Sequence, residues 1–86
     1  MNGPRERLVY EFGGFRLDPQ RRRLCLADGR PILLHDKLFD ALLYLIEHAG
    51  QLVEKTEMMS ALWPNLIVEE NNLTQTISRL RRALGR

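Results

Sequence analysis

The segment from Glu69 to Gly85 constrains this chain most, because its apolar residues recur with the period of an α-helix. Large aliphatic residues follow one another at spacings of four, three and four: Leu73, Ile77, Leu80 and Leu84. On a helix that turns about 100° per residue, these side chains fall within roughly 60° of one another. A helix with one apolar face buries that face against other elements. The sequence therefore predicts a helix over about residues 69–84, supported by the rest of the chain.

The opposite face of this helix is polar and carries no carboxylate. Its side chains are amides, a hydroxyl and guanidinium groups: Asn71, Asn72, Gln75, Ser78, Arg79 and Arg82. Asn and Gln pair with adenine, and Arg pairs with guanine or phosphate, which favours nucleic-acid recognition. The alternative is an ordinary solvated face, because arginine near a helix C-terminus complements the helix dipole. The helix alone leaves both interpretations open.

Composition and charge narrow the class of protein. The chain has 86 residues, of which 44% are hydrophobic, so it fits one small domain with a core and is not a disordered chain. Net charge is +3 over residues 1–30, −3 over 31–68 and +2 over 69–86. Basic ends around an acidic middle suit a protein whose sides meet different partners, although scattered surface charge gives the same pattern. No long apolar run or signal peptide occurs, so we expect a cytoplasmic protein without a membrane segment.

The residues that could carry chemistry do not form a catalytic or metal-binding pattern. Cys25 is the single cysteine, and the two histidines, His35 and His48, are far apart in the sequence. A zinc site needs several clustered ligands, and nucleophilic catalysis needs a Ser or Cys with a positioned base. No glycine-rich phosphate loop occurs either. The sequence therefore predicts no enzyme activity, no cofactor and no metal site.

The N-terminal third reads as a loose tail followed by a small antiparallel sheet. Residues 1–7 are polar and basic, which predicts the tail. Short β-prone runs then lie over residues 8–34, separated by the turn-forming pair Gly13-Gly14 and by Asp18-Pro19. Asp28-Gly29 predicts a two-residue type I′ turn. Because proline cannot donate to a neighbouring strand, Pro31 predicts that the last strand lies at an edge of the sheet, or that the backbone nitrogen of Pro31 faces no partner strand. We expect three or four short strands.

Three helices are predicted after the sheet. The first begins at His35 or Asp36 and ends with Gly50 as its left-handed C′ residue. The second runs from about Lys55 to Leu62 or Trp63, where Pro64 stops it. A connector over 64–68 leads to the third helix, 69–84. This order, with a short middle helix and a polar-faced last helix, is typical of a helix-turn-helix unit, and the chain as a whole is α+β.

Trp63 and the connector each allow two interpretations. Trp63 is either a core anchor under the connector or a contact residue whose indole N–H donates to a phosphate, and the two roles are compatible. The apolar run Leu66-Ile67-Val68 is either core or a surface patch for a partner.

Several motifs in order resemble one known family. They are the strand-turn-strand LADGRPILL, the K-x-F-D-x-L-x-x-L of the first helix, the A-x-W-P that ends the second, and N-L-x-x-x-I-x-x-L-R-x-x-L-G in the third. Together they resemble the winged-helix DNA-binding domain of OmpR-type transcriptional regulators, especially the variants at the N-terminus of CadC-like regulators. The resemblance covers about residues 10–85.

The resemblance implies a four-stranded N-terminal sheet, a three-helix helix-turn-helix core, and a third helix that lies in the major groove of double-stranded DNA. The family's base- and phosphate-contacting positions fall on nine residues here: Trp63, Asn71, Asn72, Gln75, Thr76, Ser78, Arg79, Arg81 and Arg82. We expect Asn71, Asn72, Gln75 and Arg79 to read bases, and the other positions on the third helix to meet phosphates. The loop through which some members touch RNA polymerase corresponds to the connector, residues 64–70.

The sequence departs from the family pattern in three ways. His35 and Glu54 stand where Ser or Thr often caps the first and second helices, and each replacement weakens a cap by about 1 kcal/mol. The chain also ends at Arg86, before the C-terminal wing hairpin of the family. We therefore expect residues 8–86 to form a winged-helix domain truncated before its wing, with uncovered apolar surface that favours a homodimer.

The function predicted is sequence-specific binding of double-stranded DNA as the effector domain of a bacterial transcriptional regulator. The alternative is a protein-interaction module on the same fold, which dimerises or contacts RNA polymerase without binding DNA itself. Salt separates the two, since DNA affinity falls steeply with added salt and an apolar protein interface barely responds.

Overall fold

A computed structural model of the chain describes residues 8–85. The predicted loose tail, residues 1–7, lies outside the described residues, as does Arg86. The described residues form two compact units that divide between Leu33 and Leu34. The first unit contains the strands and the second contains the helices. The predicted class, an α+β chain with an N-terminal antiparallel sheet followed by three helices, is confirmed.

The first unit is a four-stranded antiparallel meander. Its strands are β1 (Tyr10–Phe12), β2 (Phe15–Asp18), β3 (Arg23–Leu26) and β4 (Pro31–Ile32), and each pairs with the next along the chain. Leu17 on β2 pairs with Leu24 on β3, and both side chains are buried. Pro31 lies on the edge strand β4, as the sequence predicts, so its missing N–H interrupts no further ladder.

The turn predicted at Gly13-Gly14 is confirmed, whereas the turn at Asp28-Gly29 differs from the prediction. Gly13 and Gly14 join the paired residues Phe12 and Phe15, and both have positive φ, which makes this loop the type I′ turn of the sheet. The type I′ turn predicted at Asp28-Gly29 is wrong. The ladder register leaves three loop residues there, 27–29, and Gly29 alone has positive φ.

The chemistry of the second loop explains its longer form. The Leu26 N–H donates to the Arg30 carbonyl over 2.8 Å, and the Gly29 N–H donates to the Leu26 carbonyl over 2.8 Å. The Asp28 carboxylate accepts the backbone N–H of Arg30 at 3.0 Å and its Nε at 2.9 Å. A three-residue hairpin that ends in a left-handed glycine satisfies these groups without a positive φ at Asp28.

The second unit contains helices α1 (Asp36–Glu47), α2 (Lys55–Leu62) and α3 (Glu70–Ala83), and each helix contacts the other two. α1 ends earlier than predicted, with His48 as C-cap and Gly50 two residues further on. The His48 ring stacks on Tyr44 at 4.0 Å between centroids, and its Nδ1 lies 2.8 Å from the Tyr44 carbonyl. That carbonyl belongs to the last turn, so the side chain supplies a partner where the helix ends. α3 ends as predicted, with Gly85 at φ 84° after the C-cap Leu84.

The core of the helical unit comes from one face of each helix. Its buried apolar residues are Phe39, Ala41, Leu42, Met58, Leu62, Leu73 and Leu80. The side chains on the predicted apolar face of α3 are not equally buried. Leu73 and Leu80 are buried, whereas Ile77 and Leu84 are partly exposed. None of the helices within residues 8–85 has the length and apolar character needed to cross a membrane.

The helices within the described part of the chain all begin without a side-chain cap. The N-cap residues are His35, Glu54 and Glu69, and none of their side chains accepts a hydrogen bond from the first turn. The backbone of Glu54 and Glu69 is extended at about the angles that N-caps adopt. The weak caps expected at His35 and Glu54 are thus confirmed, and α3 shares the feature.

We predict that Glu54→Ser raises the free energy of unfolding by about 1 kcal/mol, because a serine at an extended N-cap accepts an orphan N–H of the first turn. Urea denaturation followed by circular dichroism measures this. Glu57→Ser is the matched control, since it removes the same charge within the first turn of α2 without supplying a cap. A variant at Glu54 no more stable than this control would show that the start of α2 is already satisfied.

Candidate nucleic-acid interface

The outward face of α3 presents the polar residues that the sequence singled out. Six of them are exposed: Asn71, Asn72, Gln75, Ser78, Arg79 and Arg82. At about 100° per residue they span roughly 120° of the helix circumference. Neither Arg79 nor Arg82 takes part in an ion pair with any residue in the described range 8–85. The surface thus offers amides and uncompensated guanidinium groups to a ligand.

The acidic residues at the start of α3 stand apart from this face. Glu70 pairs through Oε2 with the ammonium of Lys55 at the start of α2. Glu69 is the N-cap residue. On the helix wheel, Glu70 falls about 160° from Asn72, on the other flank of α3. Its charge is therefore balanced by Lys55 and directed away from the amides.

A concave site of about 290 Å³ lies where three helix segments meet. It is lined by the start of α1, the end of α2 and the outer face of α3, through His35, Lys37, Leu38, Trp63, Asn72, Gln75, Thr76 and Arg79. The structure thus brings Trp63 together with Asn72, Gln75 and Arg79, although about ten residues of sequence separate Trp63 from the nearest of them. Amide, indole and guanidinium groups around one depression suit a ligand with both flat bases and anionic phosphates.

Trp63 is half-buried at the end of α2 and borders the concave site. It is the C-cap residue of α2, its backbone N–H donates to the Met59 carbonyl over 2.9 Å, and its side chain is partly exposed. The ammonium of Lys37 lies 5.4 Å from the centroid of its ring. The ring therefore lies beside a cation and lines the concave site.

Thr76 does not join the exposed set. Its side chain is only 8% exposed, and its Oγ1 donates to the Asn72 carbonyl over 2.8 Å, one turn earlier in α3. A hydroxyl that is buried and already bonded to the backbone is poorly placed to meet a phosphate. This burial disfavours the phosphate contact expected of Thr76 from the resemblance, although its side chain lines the concave site.

Arg81 lies on a different side of α3 from the concave site. It is exposed, but it falls about 160° from Arg79 on the helix wheel. It lines a larger, mainly apolar groove of about 400 Å³ formed by the three helices and the segment that precedes α2, through Leu42, Leu45, Val53, Glu54, Lys55, Met58, Leu73, Ile77, Leu80 and Leu84. Arg81, for which a phosphate contact is expected, therefore lies on a different surface of α3 from Arg79, which is expected to read a base.

Sequence reasoning missed Lys37 and His35, which line the concave site from the start of α1. A signal for Lys37 existed. Acidic residues favour the first turn of a helix and lysine does not, because the helix dipole is positive there. Lys37 nevertheless stands in that turn, directly after Asp36. A lysine at the positive end of the helix dipole indicates that its ammonium has a partner elsewhere in the fold.

The connector between α2 and α3 forms a separate apolar surface. Asn65 adopts a left-handed backbone at φ 65°, and the two residues that follow, Leu66 and Ile67, are exposed at 65% and 104%. Val68 is partly buried against Met59 and its neighbours on α2. The run predicted as either core or patch is thus a patch with one anchored end.

Among residues 8–85, no group of three or more His, Cys, Asp and Glu side chains could hold a metal ion.

Known proteins resemble this chain in sequence and in fold. The profile of the family described as "Transcriptional regulatory protein, C terminal" matches residues 29–86. The transcriptional activator CadC of Escherichia coli K12 is 33% identical over 57 residues, which is 66% of this chain and 11% of that protein. The chain spans between 11% and 34% of the length of the curated relatives it matches.

Solved structures agree with these matches. The DNA-binding domain of Escherichia coli CadC superposes with a TM-score of 0.78 at 27% identity, over 94% of this chain and 74% of that one. The DNA-binding domain of Klebsiella pneumoniae RstA, crystallised in complex with the RstA box, superposes with a TM-score of 0.75 at 28% identity, over 88% of this chain and 75% of that one. The resemblance identified from sequence motifs is confirmed.

Proposed function

This chain belongs to the family of C-terminal domains of transcriptional regulatory proteins, of the OmpR/PhoB type, and we propose that it binds double-stranded DNA with α3 in the major groove. The family is one of DNA-binding regulators, so we propose a binding role without catalysis. The DNA-binding domain of RstA, whose fold this chain shares, was crystallised in complex with its DNA box. The observation that carries the proposal is the exposed face of α3, with its amides and unpaired guanidinium groups beside a concave site.

We assign base contacts to Asn71, Asn72, Gln75 and Arg79. Side-chain amides pair bidentately with the N6 and N7 edge of adenine, and a guanidinium pairs with O6 and N7 of guanine. Asn72, Gln75 and Arg79 line the same concave site, which places these three groups on one surface. A helix that docks in the major groove directs such a face at the bases.

We assign phosphate contacts to Ser78, Arg82 and the indole N–H of Trp63. Ser78 and Arg82 are exposed near the C-terminal half of α3, and Trp63 borders the concave site from α2. Phosphate contacts fix the register of a protein on DNA and carry no sequence information. Arg81 falls on the other flank of α3, so its contact with a phosphate would require a strand that curves around the helix.

The connector, residues 64–70, supports a second candidate function. Ile67 is fully exposed and Leu66 largely so, which leaves apolar area on the surface beside the acidic residues Glu69 and Glu70. A patch of this kind suits a protein partner. We propose that the connector contacts RNA polymerase, with a second copy of the chain as the alternative partner.

The primary experiment is a two-dimensional amide NMR titration of the chain with a mixed-sequence DNA duplex at several salt concentrations. We expect shifts concentrated in residues 71–82, and an affinity that falls steeply with salt, by a log–log slope of about −0.9 per phosphate contacted. A well-dispersed spectrum that shows no shift in this range at low salt would contradict DNA binding and favour the interaction module.

Arg79→Ala should weaken DNA binding and relax sequence preference at one base position by about 1–3 kcal/mol, because the guanidinium is assigned to a base edge. Selection from a randomised duplex pool gives the preference, and fluorescence anisotropy gives the affinity. Arg82→Ala is the matched comparison. It should lower the salt slope by about one and leave the preference unchanged. If the Arg79 variant keeps the preference of the parent, its base contact is wrong.

Ile67→Ser should reduce binding to bacterial RNA polymerase by about tenfold to a hundredfold, since burial of an aliphatic side chain is worth about 1.5–3 kcal/mol. DNA affinity should not change. Leu52→Ser is the control, because Leu52 is 91% exposed and lies outside the connector. Surface-bound polymerase measures the interaction, and sedimentation equilibrium measures dimerisation. Equal polymerase binding by parent and variant would exclude Ile67 from that contact.

A further inference from the structure

We propose that Lys37 is a positioning residue, which holds the end of α2 and the ring of Trp63 in the arrangement that receives DNA. The proposal rests on the function proposed above. Lys37 is not among the residues assigned to DNA contacts. Its ammonium nevertheless links α1 to the end of α2, through the Leu62 carbonyl and the Trp63 ring.

The last carbonyls of α2 lack two of the partners that helix ends commonly have. No basic residue lies in its last turn, and Pro64, which follows the C-cap Trp63, has no N–H to donate. The last carbonyls of a helix need partners and carry a partial negative charge. The ammonium of Lys37 donates to the Leu62 carbonyl. A lysine in the first turn of α1 thus supplies the positive cap that α2 does not supply for itself.

The same ammonium also faces the ring of Trp63. Its Nζ lies 5.4 Å from the ring centroid, within the range of a cation–π interaction. Asp40 Oδ2 lies 4.0 Å from it, one turn further along α1. One ammonium group therefore engages a carbonyl, a ring and a carboxylate. The positive charge of Lys37 is therefore largely compensated by groups within the protein, unlike the charges of Arg79 and Arg82.

Trp63 needs this support because its backbone is no longer helical. Its φ and ψ are −128° and 69°, and its own N–H reaches back to Met59. The indole lines the concave site with Gln75 and Arg79. Contacts to a ligand depend strongly on side chains that are held in place before binding. Loss of Lys37 should free the ring and weaken every contact that depends on it.

The chain offers a matched test, because Lys37 and Lys55 are its two lysines and Trp63 is its single tryptophan. Lys37→Met and Lys55→Met change the net charge equally. In the free protein, we expect Lys37→Met to shift Trp63 emission and increase its quenching by acrylamide, and Lys55→Met to do neither. Lys37→Arg keeps a cation over the ring and should restore the behaviour of the parent. Circular dichroism confirms that each variant is folded.

DNA affinity provides the second measurement. Lys37→Met should bind a mixed-sequence duplex about threefold to tenfold more weakly, with an unchanged salt slope, because the ammonium acts through Trp63. A slope reduced by about one would overturn the proposal by making Lys37 a direct phosphate contact. Unchanged Trp63 quenching would also overturn it. If the parent binds no duplex, the proposed function fails, while the quenching data still decide whether Lys37 positions Trp63.

Discussion

The burial of one face of α3 against α1 and α2 is the interaction on which the helical unit depends. Leu73 and Leu80 are 6% and 4% exposed, and burial of each such side chain contributes about 1.5–3 kcal/mol. Because a helix is rigid, fixing its apolar face also fixes the direction of the opposite face. The orientation of Asn72, Gln75 and Arg79 therefore follows from packing on the far side of the same helix. Core and recognition surface are two consequences of one periodic pattern.

Local patterns predicted the elements well where local chemistry decides the structure. The spacing of Leu73 and Leu80 predicted α3, Pro31 predicted an edge strand, and Gly85 predicted the end of a helix. All three predictions are confirmed. The loop at Asp28-Gly29 was wrong because ladder register, a property of two strands together, decides how many residues remain between them. A dipeptide preference cannot report that number.

The candidate site was predictable on α3 and not beyond it. Helical spacing places Gln75 and Arg79 on one face without knowledge of the fold. Thr76 lies only about 60° from Arg79 on the wheel, and whether it is buried depends on how closely the neighbouring helices approach. Lys37 enters the site through contacts across 25 residues of sequence. Such contacts exist only after α1 and α2 have packed together.

The uncapped helix starts have a consequence for how the recognition surface comes into being. α2 has 8 residues and α3 has 14, and isolated helices of such length are marginal in water even when well capped. Neither helix can persist for long outside the bundle. The polar face of α3 is therefore not presented by a preformed helix that docks late in folding. It is assembled and lost together with the core, so partial unfolding of the bundle would switch recognition off as a whole.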